Sequence, residues 1–115
     1  MKSVSHPYNG NTKVAVIELA DQVIGGVDAM DFTASVTAII REGGNHIILN
    51  MHNVEIINSS GLGMIVAAHT NVRKHGGMLT LVEVPLRVKK LLAMTQLGSI
   101  FTILPSYADD LRRRW

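Results

Sequence analysis

Three glycine pairs, Gly25-Gly26, Gly43-Gly44 and Gly76-Gly77, cut this chain into segments whose apolar spacing alternates between strand-like and helix-like. That punctuation points to short strands joined by helical crossovers. With 115 residues, 47% of them hydrophobic, the chain has material for one core that buries roughly two thirds of its unfolded surface. A second independent domain has no room, so residues 1–115 are expected to form one domain.

Val14 to Leu19 is β-rich, and a short strand around Val4 is predicted as its antiparallel partner, joined through the turn chemistry of Tyr8-Asn9-Gly10-Asn11. From Val27 to about Arg41, Phe32, Val36, Ile39 and Ile40 recur at helical spacing. Ile47, Ile48 and Leu49 form an uninterrupted apolar run, the pattern of a central strand covered on both faces. A connection carrying Val54, Ile56 and Ile57 leads to Asn58-Ser59-Ser60-Gly61, where short polar side chains can accept hydrogen bonds from the free N–H groups of a helix start.

The spacing predicts a helix from about Ser60 to Lys74, with Leu62, Ile65, Val66 and His69 on one stripe and Ser59 as its cap, a role Asn58 can partly assume. Met78 to Val82 reads as the next strand. Pro85 opens a third helix, with Val88, Leu91, Leu92 and Thr95 on its buried stripe. Phe101 to Leu104 is the last strand, and Pro105-Ser106 introduce a terminal helix through Leu111. The expected fold is α/β: a small, mostly parallel sheet of four to five strands with about four helices.

Several chemistries lack their residues. With no cysteine there is no disulfide, thiolate zinc site, iron–sulfur cluster or cysteine nucleophile. A phosphate-accepting receiver domain needs an aspartate where the central strand ends, and Asn50 stands there. No GxxxxGK[ST] loop occurs. A hydrolase elbow on Ser59 or Ser60 needs glycine two positions earlier, where Ile57 and Asn58 stand. His6, His46, His52, His69 and His75 form no HxxxH pair, and on a helix His69 and His75 are about 120° out of register. An enzyme or nucleotide-binding protein using the serine end would therefore lack a base, a metal cluster and a phosphate loop. Neither a catalytic residue, a metal nor a cofactor is expected.

Met64, Met78 and Met94 read as core fillers. Arg112, Arg113 and Arg114, just after Asp109 and Asp110, read as a solvated last helical turn. The five aromatics do not interleave with basic residues, so direct nucleic-acid binding is not expected. No stretch reads as a membrane span or signal peptide, which makes the expected location cytoplasmic, without membrane insertion.

The turn Asn58 to Gly63 remains. A hydroxyl there is open to a visiting kinase, and a phosphate at this end would meet free N–H groups and a favourable helix dipole.

The run Ile47 to Gly63, IILNMHNVEIINSSGLG, resembles the signature of the STAS domain, the fold of bacterial anti-sigma factor antagonists. The likeness continues through His75-Gly76-Gly77, Leu79 to Val82, Pro85 and Leu91 to Leu97, covering nearly the whole chain after Lys13. The resemblance implies a binding module rather than an enzyme: an unphosphorylated antagonist that binds a GHKL-type anti-sigma factor serine kinase, is released when one serine is phosphorylated, and is reset by a serine phosphatase. The family pattern Asp-Ser-[Ser/Thr/Ala]-Gly places the modified serine at Ser59 and the unmodified one at Ser60.

The implied partner surface comprises Asp21, Ile24, Gly25, Asn58, Ser59, Ser60 and Leu62. Three positions depart from the family pattern: Asn58 replaces its aspartate, Asp21 its glycine and Ile24 its aspartate. STAS domains also occur as unphosphorylated scaffolds, in stressosome-like assemblies and as subunits of lipid-transport complexes, which are the alternative roles.

Overall fold

The structure, a computed structural model, describes residues 2–8 and 12–105, with side chains described for residues 14–26 and 30–105. β1 (Lys2–Tyr8) runs antiparallel to β2 (Thr12–Glu18), with Val4 opposite Val16. The two-residue strand β3 (Gln22–Val23) and helix α1 (Val27–Arg41) follow, then β4 (His46–Asn50), a second short strand β5 (Ile56–Ile57) and helix α2 (Ser59–Lys74). The described chain closes with β6 (Met78–Val82), α3 (Leu86–Thr95), a 3-10 turn at Gly98–Ile100, and β7 (Thr102–Leu104).

Five strands form one sheet in the order β1-β2-β4-β6-β7, parallel from β2 onward. The apolar run Ile47-Ile48-Leu49 is its centre, and all three side chains are fully buried. Burial of that kind stabilises by about 1.5–3 kcal/mol per side chain. Alternation divides them between two faces. Ile47 and Leu49 join Ile17, Leu79 and Leu81 in the main core beneath Phe32 and Val36 of α1, Leu62 and Ile65 of α2, and Val88 and Leu92 of α3. Ile48 packs with Val14 and Val82 in a smaller cluster on the other face.

The small α/β fold with a mostly parallel sheet is thus as expected, and three of the helices lie among the described residues. The turn at residues 9–11, the terminal helix predicted to begin after Pro105, and the arginine cluster at its end lie outside them.

The structure corrects several finer expectations. A two-stranded parallel ribbon, β3 with β5, adds to the expected elements; Gln22 pairs with Ile56 and Val23 with Ile57. α2 begins at Ser59, and its buried line runs through Leu62, Ile65, Ala68 and Val72, leaving Val66 and His69 only partly covered. On α3 only Val88 and Leu92 are buried; Leu91 is half-buried, while Thr95 is exposed and donates its hydroxyl to the Leu91 carbonyl at 2.9 Å. Met94 fills no core, because it stands on the outer side of α3 and is 81% exposed.

Candidate functional site

Crossover helices between parallel strands begin at the strands' C-terminal ends, so the start of α2 shares an edge of the molecule with the segment that follows β2. The small ribbon locks the two together. The Asp21 carbonyl accepts from the N–H groups of Glu55 and Ile56 at 2.8 and 2.9 Å, and the Val23 carbonyl accepts from the Asn58 N–H at 3.4 Å. Residues 21–26 and 55–61, distant in sequence, therefore form one surface.

Asn58 is the N-cap of α2, in extended backbone conformation, and its Oδ1 accepts from the Gly61 N–H at 2.8 Å. Its carbonyl accepts the first helical hydrogen bond, from Leu62 N–H at 2.9 Å. The cap is thus Asn58 rather than Ser59. Because the ribbon holds Asn58 extended beside Val23, Ser59 becomes the first helical residue, and its hydroxyl is not needed for capping.

Asn58, Ser59 and Ser60 are all exposed, as are Asp21 and Ile24, the latter at 41%. Gly25, at φ 86°, lies over Ser60: a β-carbon on Gly25 would approach Ser60 Cβ to 3.2 Å. The loop thus runs close to the Cβ of Ser60, while both serines stay exposed.

Leu62, expected on the contact surface, is 2% exposed and belongs to the main core. Its position three residues beyond Ser59 turns it toward the sheet. The structure thus brings together six of the seven partner-surface residues expected from sequence as accessible or partly accessible groups, and withdraws Leu62.

Two features of this edge carry no sequence signal. Gly61 packs so closely beneath Val23 that a β-carbon there would overlap the Val23 carbonyl. Nearby, Asn50 Nδ2 donates to Glu83 Oε2 at 2.8 Å, and Asn50 Oδ1 accepts from the His52 N–H at 2.8 Å. Glu83 adopts a left-handed backbone conformation, φ 51°, and His52 Nδ1 lies 3.8 Å from its other carboxylate oxygen. A lone Glu between Val82 and Val84 carries no sequence signal of that geometry. Among the described residues no group of three or more His, Asp or Glu gathers to hold a metal ion, and no helix is long and apolar enough to cross a membrane.

A family model described as STAS domain matches residues 9–109. The chain is 34% identical over 74 residues to an anti-sigma F factor antagonist of Paenibacillus polymyxa, a match covering 64% of this chain and 61% of that protein. A crystal structure from Thermotoga maritima, of a candidate anti-sigma factor antagonist, superposes with TM-score 0.79 at 23% identity, over 96% of this chain and 92% of that one. The Bacillus cell fate determinant SpoIIAA in its phosphorylated form superposes with TM-score 0.69 at 16% identity, over 99% of this chain and 100% of that one. At these identities the two structural likenesses show the fold.

Proposed function

The chain belongs to the STAS domain family, and from that premise we propose that it is an anti-sigma factor antagonist, a regulatory binding module switched by phosphorylation of Ser59. Its partner in this reading is a GHKL-type anti-sigma factor serine kinase, docked on Asp21, Ile24, Gly25, Asn58, Ser59 and Ser60, and a serine phosphatase restores the binding form. The observation that carries the reading is the exposed Ser59 at the first position of α2, on a surface that two distant segments build together. The phosphorylated Bacillus relative supports a modified state on this fold.

The physical asymmetry is simple. A phosphate adds about 1.5 to 2 negative charges, and the positive end of the α2 dipole tolerates them within the folded chain. A partner packed over the same turn would have to desolvate that charge, which costs several kcal/mol unless a cation pairs with it. Asn58 removes the negative charge that the family's aspartate would place beside the phosphate. The family pattern Asp-Ser-[Ser/Thr/Ala]-Gly, matched to Asn58-Ser59-Ser60-Gly61, favours Ser59 as the modified hydroxyl.

Asn58 also supports a second reading, an unphosphorylated scaffold, because a kinase that selects aspartate at this position would pass the chain over. Calorimetric titration of the purified kinase with wild type and with Ser59→Asp separates the two. The antagonist reading expects wild type to bind and Ser59→Asp to bind at least about tenfold more weakly, a change of about 1.4 kcal/mol, with an unchanged circular dichroism spectrum. Equal binding of both proteins favours the scaffold.

A further inference from the structure

A groove of about 350 Å³ lies between β5 and α3, and its opening begins one residue before the Asn58 cap. Its apolar wall is Ile56, Leu91 and Met94; its basic rim is Arg87 and Lys90. Ile56 is 51% exposed, and Leu86, Lys90 and Met94 follow one another at i, i+4 and i+8 along the outer side of α3, all exposed. Single exposed apolar side chains are ordinary, whereas several around one concavity mark a contact surface.

We propose that this groove docks an acidic segment of a partner protein, which inserts an apolar side chain between Ile56 and Met94 while its carboxylates meet Arg87 and Lys90. Charge decides the occupant. α3 carries Arg87, Lys89 and Lys90 and no acidic residue. Arg87 is already oriented, its Nη1 donating to the Glu55 carbonyl at 2.6 Å, which leaves the other guanidinium N–H groups for a carboxylate. Glu55 is the one acidic residue among those lining the groove.

A second copy of this chain would bring two basic helices face to face, which like-charge repulsion opposes. A membrane surface would meet the basic rim but leave the concavity unfilled, whereas an inserted side chain fills it, and the unbranched thioether of Met94 adapts to what enters. The inference goes beyond the Ser59 switch and concerns different residues.

Its test is an NMR titration of the isotope-labelled full chain with an amphipathic peptide of leucine and glutamate. A lysine-for-glutamate version of that peptide, and vesicles of phosphatidylcholine with phosphatidylserine, serve as comparisons. The expected result is saturable shifts of the Ile56, Lys90, Leu91 and Met94 amides with the glutamate peptide alone. Affinity should drop at least about tenfold in Lys90→Glu and in Met94→Asp, both at exposed positions and each checked for an unchanged circular dichroism spectrum, and persist in Ser59→Asp. Shifts of equal size with the lysine peptide, vesicles displacing the peptide as the better ligand, shifts that follow the chain's own concentration, or no shifts would each overturn it. Because Ser59→Asp is read against the kinase and the groove variants against the peptide, either claim can fail alone.

Discussion

Gly61 lies directly beneath the carbonyl of Val23, so close that a β-carbon at position 61 would overlap the carbonyl oxygen. This contact seats the start of α2 against the β3–β5 ribbon and so determines how Ser59 is presented.

Gly61→Ala should therefore destabilise the fold by about 3 kcal/mol, the cost of forcing backbone apart in a packed region. Gly63→Ala is the matched control: nothing lies within 4 Å of its added carbon, and the substitution inside an exposed helical turn should stabilise by about 0.5–1 kcal/mol. Urea denaturation of both variants should rank them in this order.

The cap gives a second contrast. Asn58→Ala removes the acceptor for the Gly61 N–H and should cost about 1 kcal/mol. Ser59→Ala, at an exposed position outside the cap bond, should change stability by less than about 0.5 kcal/mol. A larger loss for Ser59→Ala would return the capping role to the serine.

Which parts of this geometry are legible in sequence follows from how local their signals are. The limits of α1 and the strand Met78–Val82 are readable because glycine pairs and an apolar run mark them within a few residues. The β3–β5 ribbon is not, since strands of two residues have no periodicity and Gln22 pairs with Ile56 across a long gap in sequence. The choice of cap is equally hidden. Asn58, Ser59 and Ser60 are all good cap residues, and the Val23 carbonyl, fixed by tertiary structure, decides among them. The family likeness points to this candidate surface, including Leu62, whereas the helical spacing puts Leu62 on the apolar stripe, and burial decides for the stripe; that Met94 turns outward has no local signal.

Burial separates two residues of α3 that lie two positions apart. Leu92 is 2% exposed within the main core, so Leu92→Ala should lose about 2–5 kcal/mol through lost burial and a residual cavity. Met94→Ala should lie within about 0.5 kcal/mol of wild type, because Met94 is solvent-facing. Thermal melts of the pair check the register of the helix.

Stability should depend on pH through His69. Its ring meets Phe101 edge-on, with centroids 5.3 Å apart, and its Nδ1 is buried without a hydrogen-bond partner among the described residues. Burial first, and the positive charge of Arg73 second, hold its pKa below the ordinary 6.5. The folded state therefore takes up this proton at lower pH than the unfolded chain does. The stability contributed is complete above 6.5 and is lost as pH falls through the folded value. Urea midpoints at about pH 7.5 and about pH 5.5 should differ in wild type and differ less in His69→Gln.

If Ser59 is the switch, the kinase transfers phosphate to that hydroxyl, and the site of transfer can be read directly. The chain is incubated with the GHKL-type kinase and ATP, and the peptide spanning residues 52–73 is sequenced by mass spectrometry before and after the products are tested for kinase binding. The expected result is phosphate on Ser59, absent from Ser60, with the modified molecules no longer bound. Phosphate on Ser60 alone, or an unmodified peptide from a chain that still binds the kinase, would contradict it.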